Sequence, residues 1–273
     1  MNKLLKSALG STGALLIMGS VPSVHAAKGD KGVDWSIYQG SQGKFGYGQD
    51  KFAIAQIGGY HGYIYDQSTY ATQVQYAIAQ GKRAHTYMWW QDITDYATAD
   101  KVLDYFLPKI QTPKGSIVAL DVESGGQNTD VIMHALQRIK DAGYTPMVYG
   151  YKNYLQASTD LQRIAKSYEL WLAEYPNYEA TPEPNYNYFP SFDNVGLFQF
   201  TSTYVAGGLD GNVDLSGVTD NGYKNGNPSK PNTDTAAVNA GKEADNTPKS
   251  EIAAGMTVKV NVSATHYATG ETI

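Results

Sequence analysis

Two acidic side chains, Asp121 and Glu123, close the segment SIVALDVESGG at residues 116–126. The apolar residues before them are typical of a buried strand, and alternate side chains of a strand share one face. The two acids therefore lie on the same face, with Cβ atoms roughly 6.5–7 Å apart for a rise of about 3.3 Å per residue. The segment predicts a pair of neighbouring carboxyl groups.

This pairing of carboxyl groups has a chemical use. Two carboxyl groups in a semi-enclosed cleft resist ionising together, so the pKa of one rises and that group can stay protonated as a general acid. Hydrolysis of a glycosidic bond needs such a pair. The alternative interpretation is structural, because an acid at a strand end can also cap a loop or pair with a lysine.

Two further aspartates lie in distant segments, Asp34 in VDWS and Asp214 in GLDGNVDLS. The first and last strands of a closed barrel are neighbours, so we expect Asp34 and Asp214 to meet at one rim. There they would face the cleft that contains the other two acids. Asp210 belongs to the same segment, but Leu-Asp-Gly is a turn signal, and we place this residue outside the site.

Aromatic residues gather at the predicted ends of strands. Their faces can stack on pyranose rings, and their hydroxyls can bond to sugar oxygens. Any one of them could instead pack in the core, which is our interpretation of Trp171, but as a set they favour a glycan ligand. The rings at strand ends are Tyr87, Trp89, Trp90, Tyr149, Tyr151 and Tyr175. We take Tyr87, Trp89, Tyr149 and Tyr175 as the predicted substrate-binding residues.

Short β-rich segments alternate with helical patterns between residues 32 and 217, which indicates an α/β architecture. We predict an irregular (β/α) TIM-like barrel with eight strands and fewer helices, because some connections, such as residues 176–190, are rich in Pro and Asn. An open doubly wound sheet is the alternative, yet no GxGxxG follows a strand and no GxxxxGK[ST] occurs. The eight predicted strands are VDWS, FAIAQIG, RAHTYMW, SIVALDVE, TPMVYGY, ELWLAEY, LFQFTS and NVDLS.

Four helices are predicted between these strands. The first covers residues 70–80, and the second begins at Ala99 and is ended or kinked by Pro108. The third covers residues 130–141, with apolar side chains at helical spacing, and the fourth covers residues 160–167. In a barrel, the acids at the end of SIVALDVE would lie at the C-terminal mouth, where barrel enzymes keep their chemistry.

The composition excludes several kinds of chemistry. The chain has no cysteine, which removes disulfides, thiolate metal ligands and thiol nucleophiles. Its five histidines are scattered and no HExxH occurs, so we predict neither a metal site nor a cofactor. The net charge is −5 and the basic residues are dispersed, so nucleic acid is not an expected partner.

The two ends of the chain differ from its middle. Residues 1–27 combine two lysines, a short apolar run and the ending VPSVHAA, which is typical of a secretory signal peptide cleaved after Ala26 or Ala27. An uncleaved anchor is the alternative, but the apolar run is shorter than the ~20 residues of a membrane span. We expect a secreted monomer, extracellular or in the cell wall, without stable membrane association.

Residues 28–220 are predicted to form the barrel, and residues 221–250 a flexible linker rich in Asn, Gly, Pro, Ser, Thr and Lys. Residues 251–273 regain the alternation of a strand and read as the start of a truncated β module. This last stretch is too short to fold alone. A frayed tail is the alternative interpretation.

Five segments in this order resemble glycoside hydrolase family 25, the Chalaropsis-type lysozymes: VDWSIYQG, LDVE, LWLAEY, LFQFTS and GLDGNVDLS. The resemblance covers about residues 31–217 and implies a (β/α) barrel that cleaves the β-1,4 bond between N-acetylmuramic acid and N-acetylglucosamine in bacterial peptidoglycan. It also implies that the anomeric configuration is retained. The C-terminal segment resembles the opening strand of a bacterial Src-homology-3-like wall-binding module.

The same resemblance implies roles for the four acids. Glu123 would protonate the leaving oxygen, while Asp121 would orient the substrate N-acetyl group or stabilise the oxocarbenium-like centre. Asp34 and Asp214 match the aspartates of the first and last strands. The chain departs from the common family pattern after its second strand, at AQIGGYHG, and in its third strand, at AHTYMWW.

Other functions remain as alternatives at this point. A chitinase-like glycosidase also uses acids at barrel strand ends, although such enzymes usually show a longer acidic run than LDVE. A non-catalytic protein that binds cell-wall glycan is another hypothesis, and the presence of both Asp121 and Glu123 argues against it. Wall amidases and peptidases mostly need Cys-His pairs or zinc-binding histidines, and so they rank last.

Overall fold

The computed structural model describes residues 27–224. The predicted signal peptide up to residue 26, the linker from residue 225 onward and the predicted β module lie outside the described residues. Ala27 is inside them and is fully buried, and its backbone N–H donates to Asp220 Oδ2 at 2.9 Å.

The described chain forms one nine-stranded sheet. Each predicted strand is present, and β3 is an addition that the sequence pattern did not predict. The strands are β1 (Lys31–Trp35), β2 (Phe52–His61), β3 (Ile64–Asp66), β4 (Arg83–Gln91), β5 (Ile117–Asp121), β6 (Thr145–Tyr151), β7 (Leu170–Ala173), β8 (Val195–Thr201) and β9 (Asp210–Asp214).

The sheet closes into a barrel because β1 pairs with both β2 and β9. The strand order around the barrel is β1-β9-β8-β7-β6-β5-β4-β2, and β3 is attached only to β2, as the second arm of a hairpin. Neighbouring barrel strands are parallel except for β9, which runs antiparallel to both β1 and β8. The predicted irregular barrel with eight strands and fewer helices is confirmed, with one strand reversed.

Five α-helices are described between residues 27 and 224: α1 (Tyr70–Ala79), α2 (Tyr96–Phe106), α3 (Thr129–Asp141), α4 (Lys152–Ser158) and α5 (Leu161–Ala165). Four of these correspond to predicted helices, and α4 was missed. Local signals explain where two of the helices begin. The Asp95 side chain caps the N-terminus of α2 and the Asn128 side chain caps that of α3, each by accepting a hydrogen bond from a backbone N–H group of the first turn. Within the described range, no helix is both long and apolar enough to cross a membrane.

The apolar side chains form two layers, one inside the barrel and one between strands and helices. Along β5, Ile117 and Ala119 face the interior, whereas Val118 and Leu120 pack in the outer layer with the helices. This is the alternation that the sequence predicted for the segment. Asp121 therefore faces the barrel interior at the end of β5.

The N-terminal end of the barrel is closed by charged and polar contacts. Arg83 donates to Asp220 at 2.7 Å and to Asp30 at 2.5 Å, and Tyr223 donates to the backbone oxygen of Ala84 at 2.6 Å. His85 is fully buried nearby, and this burial, with a contribution from Arg83, lowers its pKa to about 3. Because the imidazole is neutral and the charged groups are paired, we assign a structural role to the N-terminal end of the barrel.

Candidate active site

A cleft of about 620 Å³ opens at the C-terminal end of the barrel strands. Four carboxyl groups line it: Asp34 on β1, Asp121 at the end of β5, Glu123 two residues further, and Asp210 at the start of β9. Their positions follow from barrel geometry, because the ends of strands that are distant in sequence meet around one opening. The structure thus brings together three of the four acids predicted from sequence.

The prediction that Asp214 faces this cleft is wrong. Because β9 is antiparallel to β1, its first residue, Asp210, pairs with Asp34 at the mouth, and Asp214 lies at the opposite end of the strand. There Asp214 is fully buried and accepts hydrogen bonds from the backbone N–H groups of Ser216, Gly217 and Thr219 and from the Thr219 hydroxyl. Its carboxylate stabilises the turn formed by residues 216–219 after the last strand.

Asp210 was placed outside the site and in fact lies in it. A signal in the sequence could have identified it: only residues 202–209 separate β8 from β9. A crossover to a parallel strand takes about a dozen residues or more. A connection as short as this one therefore requires a hairpin and an antiparallel strand. The reversal carries the start of β9, rather than its end, to the mouth.

Burial raises the pKa of each of these carboxyl groups. For Asp34, burial raises the pKa to about 6, although hydrogen bonds donated by Asn212 and Gln199 to Oδ2, at 2.7 and 3.0 Å, oppose that rise. For Asp210, burial and the charges of Asp34 and Glu123 raise the pKa to about 9. The cleft concentrates acids that cannot all be ionised at neutral pH.

The pKa values of the pair predicted from the spacing, Asp121 and Glu123, are raised as well. Burial and then the charge of Glu123 raise the pKa of Asp121 well above its usual range. Burial and the charge of Asp34 raise the pKa of Glu123 to about 7. Within residues 27–224, Asp121 Oδ1 is buried without a hydrogen-bond partner, and it lies in the cleft lining. A protonated acid is thus available near neutral pH.

The four predicted substrate-binding rings, Tyr87, Trp89, Tyr149 and Tyr175, all line the cleft. Tyr149 also donates a hydrogen bond to Gln199 Oε1 at 2.8 Å, which links it to the group that contacts Asp34. Trp90 points the other way and is buried in the outer layer, as alternation along β4 requires.

Trp171 is almost fully buried, as predicted, and also forms part of the cleft floor. Its indole N–H donates to Asn212 Oδ1 at 2.7 Å, while Asn212 Nδ2 donates to Asp34. This chain of hydrogen bonds fixes the amide orientation and aims a donor at the Asp34 carboxylate. A core tryptophan therefore positions one of the acids.

Several residues of the cleft lining were missed by sequence reasoning. They come from the segment after β1 and from the β2–β3 hairpin, where no acidic or strand-end motif marks them. These residues are Ser36, Ile37, Tyr38, Gln56, His61, Tyr65 and Gln67.

The described part of the chain holds no cluster of three or more His, Asp or Glu side chains arranged for a metal ion. The chemistry that the cleft offers is acid–base chemistry by carboxyl groups. A closed barrel with a carboxyl pair and aromatic side chains around its C-terminal mouth defines the class of glycoside hydrolases.

Comparison with known families agrees with that class. Residues 33–209, more than half of the chain, match the family described as glycosyl hydrolases family 25, and the chain belongs to this family. The matched range includes Asp34, Asp121 and Glu123 and stops one residue before Asp210.

Curated relatives match over shorter segments. A D-alanyl-L-alanine endopeptidase of Streptococcus phage B30 is 38% identical over 128 residues, which is 44% of this chain and 29% of that protein. A lysozyme of Streptococcus phage Cp-9 is 34% identical over 115 residues, which is 40% of this chain and 33% of that protein. The matched segments span about a third of the length of these relatives.

Solved structures share the fold. The wild-type modular Cpl-1 endolysin, complexed with a peptidoglycan analogue, superposes with a TM-score of 0.57 at 26% identity, covering 69% of this chain and 55% of that one. A bacterial lysozyme from Streptomyces coelicolor superposes with a TM-score of 0.50 at 18% identity, covering 71% of this chain and 98% of that one. The latter likeness concerns the fold alone.

Proposed function

We propose that this protein is an N-acetylmuramidase, which hydrolyses the β-1,4 bond between N-acetylmuramic acid and N-acetylglucosamine in bacterial peptidoglycan. The observation that carries the proposal is the carboxyl pair Asp121 and Glu123, held with raised pKa values in an open cleft lined by aromatic rings. Family 25 membership, the lysozyme relatives and the peptidoglycan analogue bound to the Cpl-1 endolysin support the substrate class.

In this mechanism Glu123 is the general acid. Its pKa of about 7 leaves a substantial protonated fraction at neutral pH, and a general acid works best with a pKa near the operating pH. As the bond between the anomeric carbon and the bridging oxygen breaks, Glu123 gives its proton to that oxygen. The resulting carboxylate then takes a proton from the water that completes hydrolysis.

Asp121 is proposed to act on the sugar that keeps the anomeric carbon. A carboxyl group that retains its proton is a poor nucleophile but a good hydrogen-bond donor, so the raised pKa of Asp121 favours orientation of the substrate N-acetyl group over direct attack. Asp34, fixed by Asn212 and Gln199, would supply negative charge beside the oxocarbenium-like centre. The proposed outcome is retention of configuration.

The endopeptidase name of the phage B30 relative is not transferred to this chain. The match covers 29% of that protein, so its named activity can belong to another part of it. This chain has no cysteine for a thiol peptidase, and its described histidines form no metal-binding group. A glycosidase remains the function that the cleft supports best.

The proposal extends to where the enzyme acts. The signal-like residues 1–27 support export, and the polar segment that follows the barrel supports a tether to a wall-binding module. Such a tether would raise the local concentration of an acidic enzyme at an anionic wall. The working protein is proposed to be an extracellular or wall-associated lysin that acts as a monomer.

The products released from purified peptidoglycan test the function. After borohydride reduction, mass spectrometry should find new N-acetylmuramic acid reducing ends with the wild type and none with Glu123→Gln. New N-acetylglucosamine ends would show a glucosaminidase instead. Release of peptides without new reducing ends would contradict the proposed glycosidase.

A further inference from the structure

The upper part of β2 contains an irregularity that changes which side chains face the cleft. In the pairing of β2 with β4, Gln56 lies opposite Tyr87, but Gly58 lies opposite Met88, so Ile57 is one extra residue. Such a bulge switches the face on which all later side chains of the strand lie. Even-numbered residues of β2 face inward up to Gln56, whereas odd-numbered residues do so from Gly59 onward.

The consequence of the bulge is that His61 points into the cleft. His61 lies opposite Gln91, and both residues line the opening. Without the extra residue, Tyr60 would take that place, and Tyr60 instead packs against the outer core. The bulge thus aims a particular side chain at the site, as bulges near active sites often do.

His61 belongs to an aromatic group on the β2–β3 hairpin, the hairpin cluster, which consists of His61, Tyr63 and Tyr65. The His61 ring centroid lies 4.3 Å from that of Tyr63 and 5.1 Å from that of Tyr65. Tyr63 is 61% exposed. Exposed clustered rings next to a cleft are typical of a binding surface, since their burial by a ligand is favourable.

Close packing holds the hairpin cluster in place. A Cβ atom added at Gly58 would lie 2.2 Å from the backbone oxygen of Tyr65, and one at Gly59 would lie 2.4 Å from Trp89 Cβ. Gln56 donates to the Tyr65 hydroxyl at 3.2 Å and accepts from Gln67 at 2.7 Å. The cluster is therefore supported by backbone contacts below it and by an amide network beside it.

The register gives the height of the cluster above the acids. Gly59 lies opposite Trp89, and Trp89 lies opposite Asp121, so these three residues are level. His61 is two residues further, which places it roughly 7 Å beyond that level along the strand. A ligand ring at this position would neighbour the sugars held at the carboxyl groups.

The charges around the cleft indicate which part of the substrate the cluster would contact. Among the described residues that line the cleft there is no Lys or Arg, whereas four acids are present. An anionic stem peptide would find no cationic partner there and would meet like charges. A neutral pyranose ring can stack on aromatic faces without that penalty.

We propose that the hairpin cluster is a sugar-binding subsite, which holds a neutral pyranose ring of the glycan adjacent to the pair of sugars whose bond is cleaved. This inference rests on the proposed function and adds to it a specific contact.

Tyr63→Ala tests the subsite against a matched control, Tyr96→Ala. Neither tyrosine lines the cleft itself, but Tyr63 packs edge-to-face on His61, which does line it. Tyr96 is 51% exposed and makes a similar edge-to-face contact at 5.1 Å with a histidine outside the cleft lining, His134. On peptide-free glycan strands we expect Tyr63→Ala to raise KM about threefold to tenfold, the scale of one aromatic contact, with little change in kcat. Tyr96→Ala should match the wild type, and Tyr63→Phe should keep most of the affinity.

A binding measurement separates this inference from the proposed function. In the Glu123→Gln background, calorimetry with the same glycan strands should give a Kd raised by a similar factor when Tyr63→Ala is added. Equal Kd values with and without Tyr63→Ala would overturn the subsite, as would a loss seen only with strands that carry stem peptides. A wild type that binds glycan through Tyr63 but cleaves no glycosidic bond would overturn the proposed function alone.

Discussion

The two ends of β9 carry the same side chain in opposite circumstances. Asp214, at the closed end of the barrel, is fully buried and has four hydrogen-bond donors around its carboxylate. Asp210, at the open end, lies in a cleft with three other acids, and its burial and the charges of Asp34 and Glu123 raise its pKa to about 9. The first carboxylate is stabilised by its surroundings, and the second is destabilised by them.

This contrast teaches how to distinguish a structural acid from a chemical one. A carboxylate surrounded by backbone N–H donors contributes to the stability of the fold, and its burial is compensated. A carboxyl group that shares a cleft with like charges lowers stability, and such a cost is typical of functional sites. The environment of each acid, more than its burial, indicates its role.

The largest effect is expected at the open end, from Glu123→Gln. Loss of the general acid should lower kcat by at least ~100-fold, the scale at which general acid catalysis contributes. Clearing of a wall suspension gives the rate, and circular dichroism checks that the fold is kept. A variant with near wild-type kcat would remove Glu123 from the mechanism.

At the closed end, Asp214→Asn should act on stability instead. The amide NH₂ group cannot accept the hydrogen bonds that the Thr219 N–H and hydroxyl donate to Asp214 Oδ2. Because these bonds would be lost, the free energy of unfolding should fall by about 1–3 kcal/mol. Urea unfolding measures this change, while kcat per folded molecule should stay at the wild-type value. If stability were unchanged and kcat fell sharply, Asp214 would belong to the chemistry after all.

The smallest and most informative effect is expected from Asp210→Asn. Because the folded-state pKa of about 9 exceeds the usual value of 3.8, the linked stability is present at low pH and is lost as the pH rises toward 9. The neutral amide avoids this loss. The variant should therefore unfold at the same temperature as the wild type near pH 4 and at a higher temperature near pH 8.

Activity provides the second half of that test. We expect Asp210→Asn to reduce kcat by less than about tenfold, since it alters the field around the carboxyl pair without removing the acid. Thermal unfolding at both pH values and the rate at neutral pH give the comparison. A variant that is less stable than the wild type at pH 8 would show that Asp210 is a structural acid like Asp214.

Much of the fold could be predicted from sequence because it depends on local patterns. Alternation along β5 placed Ile117 inside and Val118 outside, and the spacing of Asp121 and Glu123 put two acids on one face. These features depend on a period of two residues, which the sequence displays directly. The carboxyl pair could therefore be identified without a structure.

The errors arose where strand direction and register decide the outcome. The exchange of Asp210 and Asp214 arose because the first and last strands were expected to be neighbours without regard to their relative direction, and β9 is antiparallel to β1. An alternating pattern does not indicate the direction in which a strand runs. The inward orientation of His61 depends on the extra residue Ile57 in the pairing of β2 with β4. Such features are set by partners far along the chain, and the pattern of one segment does not contain them.

The pairing of β1 with β9 also has a consequence for how the chain folds. It joins residues 31–34 to residues 210–213, so closing the barrel requires contacts across almost the whole described chain, and contacts of such separation form slowly. Until β9 docks, β1 and β8 each present an open edge that can pair with another chain. Asp34 and Asp210 meet only when β1 and β9 pair, so a molecule in which this pairing has not formed has no assembled carboxyl cluster.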